Sequence, residues 1–214
     1  MCSEQKVDID IKGCDILSTM LDFNQFDCGV SGINDYLLSH AVEDSSFGVS
    51  STTVFNENGG NDIVGFYSLS ASRVVIKGKF DSETFEGYPG SRDYMEKIKV
   101  TYPAVTVDEF AVRKDMQGKQ IGTKMMLRLF RTLYISHVIN NVGIAAVILN
   151  ARNDDRVIEF YKNRGFDFIH NDYEKIDPLG KMDTYPMMIK FKDVEEIATH
   201  LNLDFPENLY EDLL

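Results

Sequence analysis

Residues 109–126, EFAVRKDMQGKQIGTKMM, join a β-rich run to a helical pattern through a short stretch that contains two glycines. Gly118 and Gly122 stand where the helix begins, although glycine costs about 1 kcal/mol of helix stability relative to alanine. The first N–H groups of a helix are unpaired and partially positive, so they suit a bound phosphate. The stretch therefore predicts a strand, a phosphate-binding turn and a helix; a turn relieved by glycine without any ligand is the alternative.

The patterns on both sides of this stretch predict one α/β domain, residues 1–214, in which helices pack on a mixed sheet. Residues 193–214 are expected to form a C-terminal helix and an acidic tail, residues 78–103 a long loop, and Ser31 the cap of the first helix. Periodicity predicts helices over 31–45, 119–138, 154–165 and 193–201, and strands over 51–55, 62–76, 104–112, 143–151, 166–170 and 184–191.

The composition favours a globular protein of the cytoplasm. Hydrophobic residues make up 43% of the chain, enough for a sizeable core, and no run of apolar residues is long enough to predict a membrane span. The cysteines, Cys2, Cys14 and Cys28, are odd in number and lack metal-ligand spacing. They predict reduced thiols and no metal site.

The charge balance argues against broad binding of nucleic acid. The chain carries 22 basic and 34 acidic residues, a net charge of −12, which repels phosphate backbones at long range. A solvated acidic surface explains this charge, and a cationic amine substrate is compatible with it. A local basic patch around the predicted loop keeps tRNA open as a partner: Lys77, Lys79, Arg92, Lys97 and Lys99.

A second motif, FYKNRGF at residues 160–166, stands where a helix ends and a strand begins. Together with AVRKDMQGKQIG, residues 111–122, it resembles the GCN5-related N-acetyltransferase (GNAT) family, in which an R/Q-x-x-G-x-G/A turn cradles the pyrophosphate of acetyl-CoA. Gln117 stands at the first position of this turn and Gly122 at the last. Gln120 departs from the pattern, because glycine is usual there.

Three further segments are similar to the toxin-like branch of the same family, whose members acetylate aminoacyl-tRNA. They are FDCGVSGINDYLLSHA at 26–41, IVGFYSLSAS at 63–72 and YPAVTVDEFAV at 102–112. The resemblance implies a GNAT-like acyl-CoA N-acyltransferase fold with a mostly antiparallel central sheet flanked by helices. It also implies acetyl-CoA as co-substrate and acetyl transfer to a primary amine of a small molecule or protein.

The resemblance also implies roles for individual residues. Tyr161 is implied as the general acid toward the CoA sulfur, although its local pattern beside Phe160 favours a core aromatic. Lys119 and Lys124 are expected to add charge near the pyrophosphate, with Arg113 as a further candidate. The residues implied to contact acetyl-CoA are Phe110, Ala111, Val112, Gln117, Gly118, Lys119, Gln120, Gly122, Thr123 and Asn153.

Several questions are left open by the sequence. The general base is Asp108, Glu109 or water, and strict strand alternation would put the two carboxylates on opposite faces. Either Asn153 or Asp154 is expected to cap the second long helix. A toxin of a toxin–antitoxin pair and a non-catalytic module that binds CoA or a partner are the alternatives to the enzyme. The acceptor amine, a homodimer, an antitoxin and the role of the tail are undetermined.

Overall fold

Apart from a first short strand and a break in the first helix, the helices and strands follow the order that the sequence predicts. The computed structural model describes residues 9–18, 22–57, 60–76, 88, 100–169 and 182–200, except the side chains of Ile76 and Val100. The strands are β1 (Ile11–Asp15), β2 (Ser51–Glu57), β3 (Ile63–Ile76), β4 (Val100–Val112), β5 (Ala146–Arg152), β6 (Asp167–Phe168) and β7 (Thr184–Lys190). The α-helices are α1 (Ser31–Ser39), α2 (Ala41–Ser46), α3 (Ile121–Val138), α4 (Asp155–Lys162) and α5 (Phe191–His200).

The strands form one sheet in the order β1-β2-β3-β4-β5-β7-β6. Every neighbouring pair is antiparallel except β4 and β5, which run parallel and are connected through α3. A parallel pair needs such a crossover because its strands start at the same end of the sheet. The mixed, mostly antiparallel sheet expected from the sequence is therefore confirmed.

Apolar residues from the helices bury both faces of this sheet. The methionine-rich stripe of α3 packs on one face together with α4 and α5, and α1 and α2 cover part of the other face. The buried residues of the α3 stripe are Ile121, Met125, Met126, Leu129, Phe130 and Leu133. The helical period of these residues is what the sequence predicts for a helix lying on a sheet.

The first predicted helix differs from expectation in two ways. It is divided at His40, whose φ of −123° and ψ of −35° interrupt the helical path and separate α1 from α2. Ser31 is the first helical residue and not the cap; Val30 holds the N-cap position without a side-chain hydrogen bond. Asn34 fixes the start of the helix instead, because its amide donates to the carboxylate of Asp27 at 2.8 Å.

One strand, β1, and the start of β4 were not predicted. β1 is a short edge strand, where Gly13 lies so close to the Phe55 ring that a Cβ would sit 2.8 Å from it. A five-residue strand that contains glycine gives too weak an alternation to be recognised. β4 begins at Val100 and therefore takes the last residues of the predicted loop.

Some expectations concern residues outside those the structure describes. They are Cys2, most of the predicted loop with its basic cluster, and the acidic tail after residue 200. No helix among the described residues is long and apolar enough to cross a membrane.

Candidate active site

The strands β4 and β5 separate at one end of the sheet. Their parallel pairing ends at Val107 and Leu149, whereas β4 continues to Val112 and β5 to Arg152. Beyond the last pair, β4 still pairs with β3 on its other side. The end of β4 therefore has no strand partner on the side of β5, and the two strands enclose an opening.

A β-bulge in β4 lies beside this opening. Ser68 pairs with Glu109, and the register shifts after this pair so that Asp108 is the extra residue. Opposed residues of antiparallel strands share a face, and Ser70, two residues from Ser68, donates to Asp108 Oδ1 at 3.0 Å. Both carboxylates therefore lie on the face of α1. The expectation of opposite faces is wrong, because a bulge interrupts strand alternation.

The opening is a cavity of about 160 Å³. Its wall combines the start of α1 and the preceding segment, the bulged end of β4, the turn before α3, the end of β5 and one face of α4. The lining residues are Cys28, Val30, Ile33, Val107, Asp108, Glu109, Phe110, Ala111, Val112, Gln117, Leu149, Asn150, Arg152, Val157 and Tyr161. Five of the predicted site residues, Phe110, Ala111, Val112, Gln117 and Tyr161, thus line one cavity.

The turn before α3 carries unpaired N–H groups near this cavity. Within the described residues, the N–H groups of Ile121, Gly122 and Thr123 have no acceptor, and no side chain caps the helix. Each such group is a hydrogen-bond donor at the positive end of the helix dipole. The first turn of α3 is therefore able to bind an anion.

The two glycines of this turn have different structural reasons. Gly118 has a φ of +76°, in the left-handed region that side chains rarely adopt. Gly122 lies against a ring, because a Cβ there would meet Phe160 at 3.1 Å and Val112 at 3.6 Å. Gly118 thus permits the turn, and Gly122 permits α3 to pack closely on α4.

The backbone conformation of Gln120 gives a physical reason for the glycine that is usual at this position of the turn in the GNAT family. Its φ is +64° and its ψ is 6°, a left-handed conformation. A residue with a side chain loses about 1 to 2 kcal/mol there. The chain keeps the shape of the turn at the cost of this strain.

We expect Gln120→Gly to raise the free energy of unfolding by up to about 1 kcal/mol, because relief of strain exceeds the entropy that glycine adds to the unfolded chain. Urea denaturation measures this difference. Lys119→Gly is the matched control, because Lys119 is exposed in the same turn and is not among the residues with positive φ. It should destabilise the protein by about 0.5 to 1 kcal/mol. Equal destabilisation by both changes would disprove the strain.

The side chain of Gln117 holds the turn in place. Its Nε2 donates to the carbonyl of Val112 at 3.0 Å and to that of Cys28 at 3.1 Å. The first glutamine of the turn thus connects the end of β4 to the segment before α1. Its side chain is positioned by these bonds and supports the turn.

The basic side chains near the turn are held to different degrees. Lys124 Nζ donates to the carbonyl of Ile9 at 2.6 Å, and Arg113 forms an ion pair with Asp115 at 2.7 Å. Lys119 is exposed, and its Nζ lies 3.6 Å from a methionine sulfur. Lys119 is therefore the basic side chain of this turn best able to reach a bound anion.

Arg164 is a basic residue of the site that the sequence analysis did not single out. It donates to the carbonyl of Phe160 at 2.6 Å and to the hydroxyl of Thr123, and its guanidinium lies 3.6 Å from the Phe160 ring centroid. These contacts place a positive charge at the first turn of α3. The sequence hid it, because a basic residue in the last turn of a helix already has a structural explanation.

The sequence left open whether Asn153 or Asp154 caps the helix, and the structure gives the two residues different roles. Asp154 is the N-cap of α4, since its carboxylate accepts the N–H of Arg156 at 2.9 Å. Asn153 does not line the cavity; its amide donates to the carbonyl of Met182 at 2.9 Å. The contact of Asn153 with acetyl-CoA stays a prediction that this geometry does not favour.

Tyr161 is both a core aromatic and a cavity residue. Its ring packs edge-on against Phe110, Phe160 and Phe166, with centroid distances of 6.3, 5.2 and 5.7 Å. Burial and the charge of Glu109 raise the pKa of the Tyr161 phenol, against a lowering effect of Arg164. Its hydroxyl therefore stays protonated at physiological pH and remains a hydrogen-bond donor.

Glu109 has the properties of a base that works near neutral pH. Burial, with a contribution from the charge of Asp108, raises the pKa of Glu109 to about 7. The charge of Glu109 also contributes to the raised pKa of Tyr161 and of Cys28, and all three residues line the cavity. Perturbed acids of this kind gather at functional sites.

A group of buried hydroxyls fixes α1 beside these carboxylates. The Tyr36 hydroxyl lies 2.9 Å from Ser68 Oγ and 3.0 Å from Ser50 Oγ. Thr52 Oγ1 donates to Ser68 Oγ at 3.1 Å. The helix that forms one wall of the cavity is therefore held to β2 and β3 by side-chain hydrogen bonds.

No family model matches the sequence. A tyrosine-to-phenylalanine mutant of KacT is similar in structure, with 18% identity, a TM-score of 0.67 and coverage of 87% of this chain and 98% of that chain. An AtaT mutant toxin bound to the C-terminus of the antitoxin AtaR and to acetyl-CoA has 17% identity and a TM-score of 0.64, with coverage of 89% of this chain and 99% of that chain. AtaT complexed with acetyl-methionyl-tRNAfMet has 19% identity and a TM-score of 0.64, with coverage of 88% of this chain and 99% of that chain.

These similarities extend over most of both chains, although sequence identity is low. They show that the chain has the fold of these toxins. The expected GNAT-like fold is confirmed.

Proposed function

We propose that the protein is an acetyl-CoA-dependent N-acetyltransferase that acts on a primary amine. The observation that carries this proposal is the cavity between the separated ends of β4 and β5. It brings together β4 backbone without a strand partner on the side of β5, Gln117 of the turn before α3, a carboxylate of raised pKa at Glu109 and the buried phenol of Tyr161. Structures of AtaT with the same fold contain acetyl-CoA, which supports the same co-substrate here.

Each part of acetyl-CoA has a matching feature in the cavity. The pyrophosphate binds the N–H groups at the start of α3, with Lys119 and Arg164 supplying positive charge. The pantetheine follows Phe110 to Val112, a stretch that has no strand partner on the side of β5. The acetyl group then lies near the bulge between β4 and α4.

The reaction forms a C–N bond and breaks the C–S bond of the thioester. The neutral amine attacks the acetyl carbonyl, and its excess proton passes to the carboxylate of Glu109. The thiolate of CoA leaves and takes its proton from the Tyr161 hydroxyl, which regains one from solvent. General acid and base groups of this type contribute about 10²- to 10⁴-fold each.

The raised pKa of Tyr161 sets a condition on this step. A phenol that is hard to ionise is a weak proton donor toward an exposed thiolate. The leaving thiolate lies beside the buried phenol, and removal from water raises its basicity. Tyr161 therefore stabilises the leaving group by a hydrogen bond and completes the proton transfer as the C–S bond breaks.

An aminoacyl-tRNA acceptor is the second candidate, because structural neighbours include AtaT with acetyl-methionyl-tRNAfMet and KacTA with DNA. The net charge of −12 is unevenly distributed in a way that is compatible with this acceptor. Residues 113–164, which include α3 and α4, carry ten Lys or Arg and four Asp or Glu. A phosphate-rich substrate would therefore find attractive charge beside the site.

Release of CoA thiol from acetyl-CoA tests the proposal. The acceptors to compare are polyamines, lysine peptides and a set of aminoacyl-tRNAs. Thiol release that depends on one acceptor class supports the enzyme and identifies its substrate. Binding of acetyl-CoA without turnover on any acceptor would instead support the non-catalytic module. A cytoplasmic location and a homodimer stay predictions.

A further inference from the structure

Exposed apolar side chains are concentrated in one part of the described chain. Large hydrophobic residues with substantial exposure are otherwise limited, among the described residues, to Val138 and Val142. The apolar patch consists of Leu17 (52% exposed), Leu38 (47%), Val42 (49%), Phe47 (77%) and Val49 (63%). Single exposed hydrophobics need no explanation, but a cluster of them marks an interaction surface.

These five residues belong to packed neighbouring elements. The turn at Ile16–Ser18, which carries Leu17, contacts α2, and α1 also packs against α2. The chain then folds back after α2, because the N–H of Val49 bonds to the carbonyl of Asp44 at 2.9 Å. The apolar patch is therefore formed by α1, α2 and the turns that adjoin α2.

The same part of the chain carries only negative charge. Between Lys12 and Arg73 there is no lysine or arginine, although the chain has 22 such residues. The carboxylates in this interval are Asp15, Asp22, Asp27, Asp35, Glu43, Asp44, Glu57 and Asp62. Asp35 and Glu43, on α1 and α2, are exposed next to members of the apolar patch.

We propose that the apolar patch is the docking surface for a basic amphipathic segment of a partner protein. Such a segment presents apolar side chains on one face and lysines or arginines beside them. The apolar face covers Phe47 and its neighbours, and the basic residues meet the carboxylates of α1 and α2. This inference does not depend on the acetyltransferase activity.

Charge argues against the other occupants of this surface. A second copy in a two-fold symmetric dimer would bring the same acidic surface against itself. The chain's own segment 201–214 has four carboxylates and no lysine or arginine. Nucleic acid is repelled for the same reason.

A synthetic four-turn helical peptide of leucine and lysine, with leucines on one face, is the probe for this surface. We expect the full chain to bind it, as followed by fluorescence anisotropy of a label on the peptide, and more weakly as salt rises. Phe47→Ser should weaken binding by about tenfold or more, since a large aromatic anchor dominates such a contact. Phe47 is 77% exposed, so the variant should stay folded.

Val142→Ser is the matched control, because Val142 is 46% exposed but lies after α3, outside the apolar patch. It should leave peptide binding unchanged, whereas Glu43→Lys should weaken it. A leucine–glutamate peptide should not bind. Equal binding by wild type and Phe47→Ser would overturn the proposal. Self-association of the wild-type chain that Phe47→Ser abolishes in sedimentation would identify a second copy as the occupant and also overturn it.

Discussion

Replacing Tyr161 with phenylalanine is expected to lower kcat for acetyl transfer by about 10²- to 10³-fold. The change removes only the hydroxyl that we propose as the proton donor to the departing sulfur of CoA. The aromatic ring remains, so its contacts with Phe110, Phe160 and Phe166 are kept. The KM for acetyl-CoA should therefore change little, because the loss is confined to the transition state.

Steady-state kinetics with the acceptor identified by the thiol assay measures this effect. Tyr134→Phe is the control, because Tyr134 lies on α3 and does not line the cavity. It should leave kcat within about twofold of wild type. Both variants should unfold at temperatures close to that of the wild type. A Tyr161→Phe enzyme with undiminished kcat would remove Tyr161 from the mechanism.

Replacing Glu109 with glutamine is expected to lower kcat/KM by about 10²- to 10⁴-fold and to remove an acidic limb from the pH profile. In the wild type, the pKa of Glu109 is raised to about 7 by burial and by the charge of Asp108. Only the ionised carboxylate accepts the amine proton. The wild-type rate should therefore rise about tenfold per pH unit below pH 7 and level off above it.

Asp108→Asn tests how much the charge of Asp108 contributes to the raised pKa of Glu109. The charge of Asp108 is the smaller of the two causes that raise the pKa of Glu109. Its removal should move the acidic limb to lower pH and leave the plateau rate within about tenfold of wild type. A profile that keeps its acidic limb in Glu109→Gln would show that another group, or water, accepts the proton.

Glu109→Gln is expected to increase the stability of the fold, although it lowers the activity. The pKa of Glu109 is higher in the folded chain, about 7, than the ordinary value of 4.5 for a glutamate. The folded state therefore binds this proton more tightly, and the associated stability is lost as pH rises through this interval. Glu109→Gln should accordingly raise the melting temperature relative to wild type at pH 8 and by less at pH 5. Thermal unfolding of both proteins at the two pH values measures this difference.

The order of the elements could be predicted because it depends on local periodicity. The stripe of α3 has a clear helical period and β5 lies in a continuous apolar run, so both elements were found within a few residues of their ends. The break at His40 and the edge strand β1 were missed. Neither carries a period, because a one-residue break between helices and a five-residue strand are decided by tertiary packing.

The candidate site was predicted less completely. The two sequence motifs predict the strand end and the turn beside the cavity, and Gln117 and Tyr161 from these motifs do line it. The relative placement of Asp108 and Glu109 does not follow, because a bulge depends on how two strands pair over a distance. Arg164 was missed for a related reason: its partner, Thr123, is 41 residues away in sequence.

Calorimetric titration of the purified chain with acetyl-CoA tests the central claim most directly. Asn150→Trp places a large side chain in the cavity from an exposed position at the end of β5, and Glu159→Trp, exposed on α4 outside the cavity lining, is its matched control. We predict a Kd of about 1 to 100 μM for wild type and for Glu159→Trp, and at least about tenfold weaker binding for Asn150→Trp. A folded wild-type chain without heat of binding, or equal affinity in all three proteins, would contradict the proposed site.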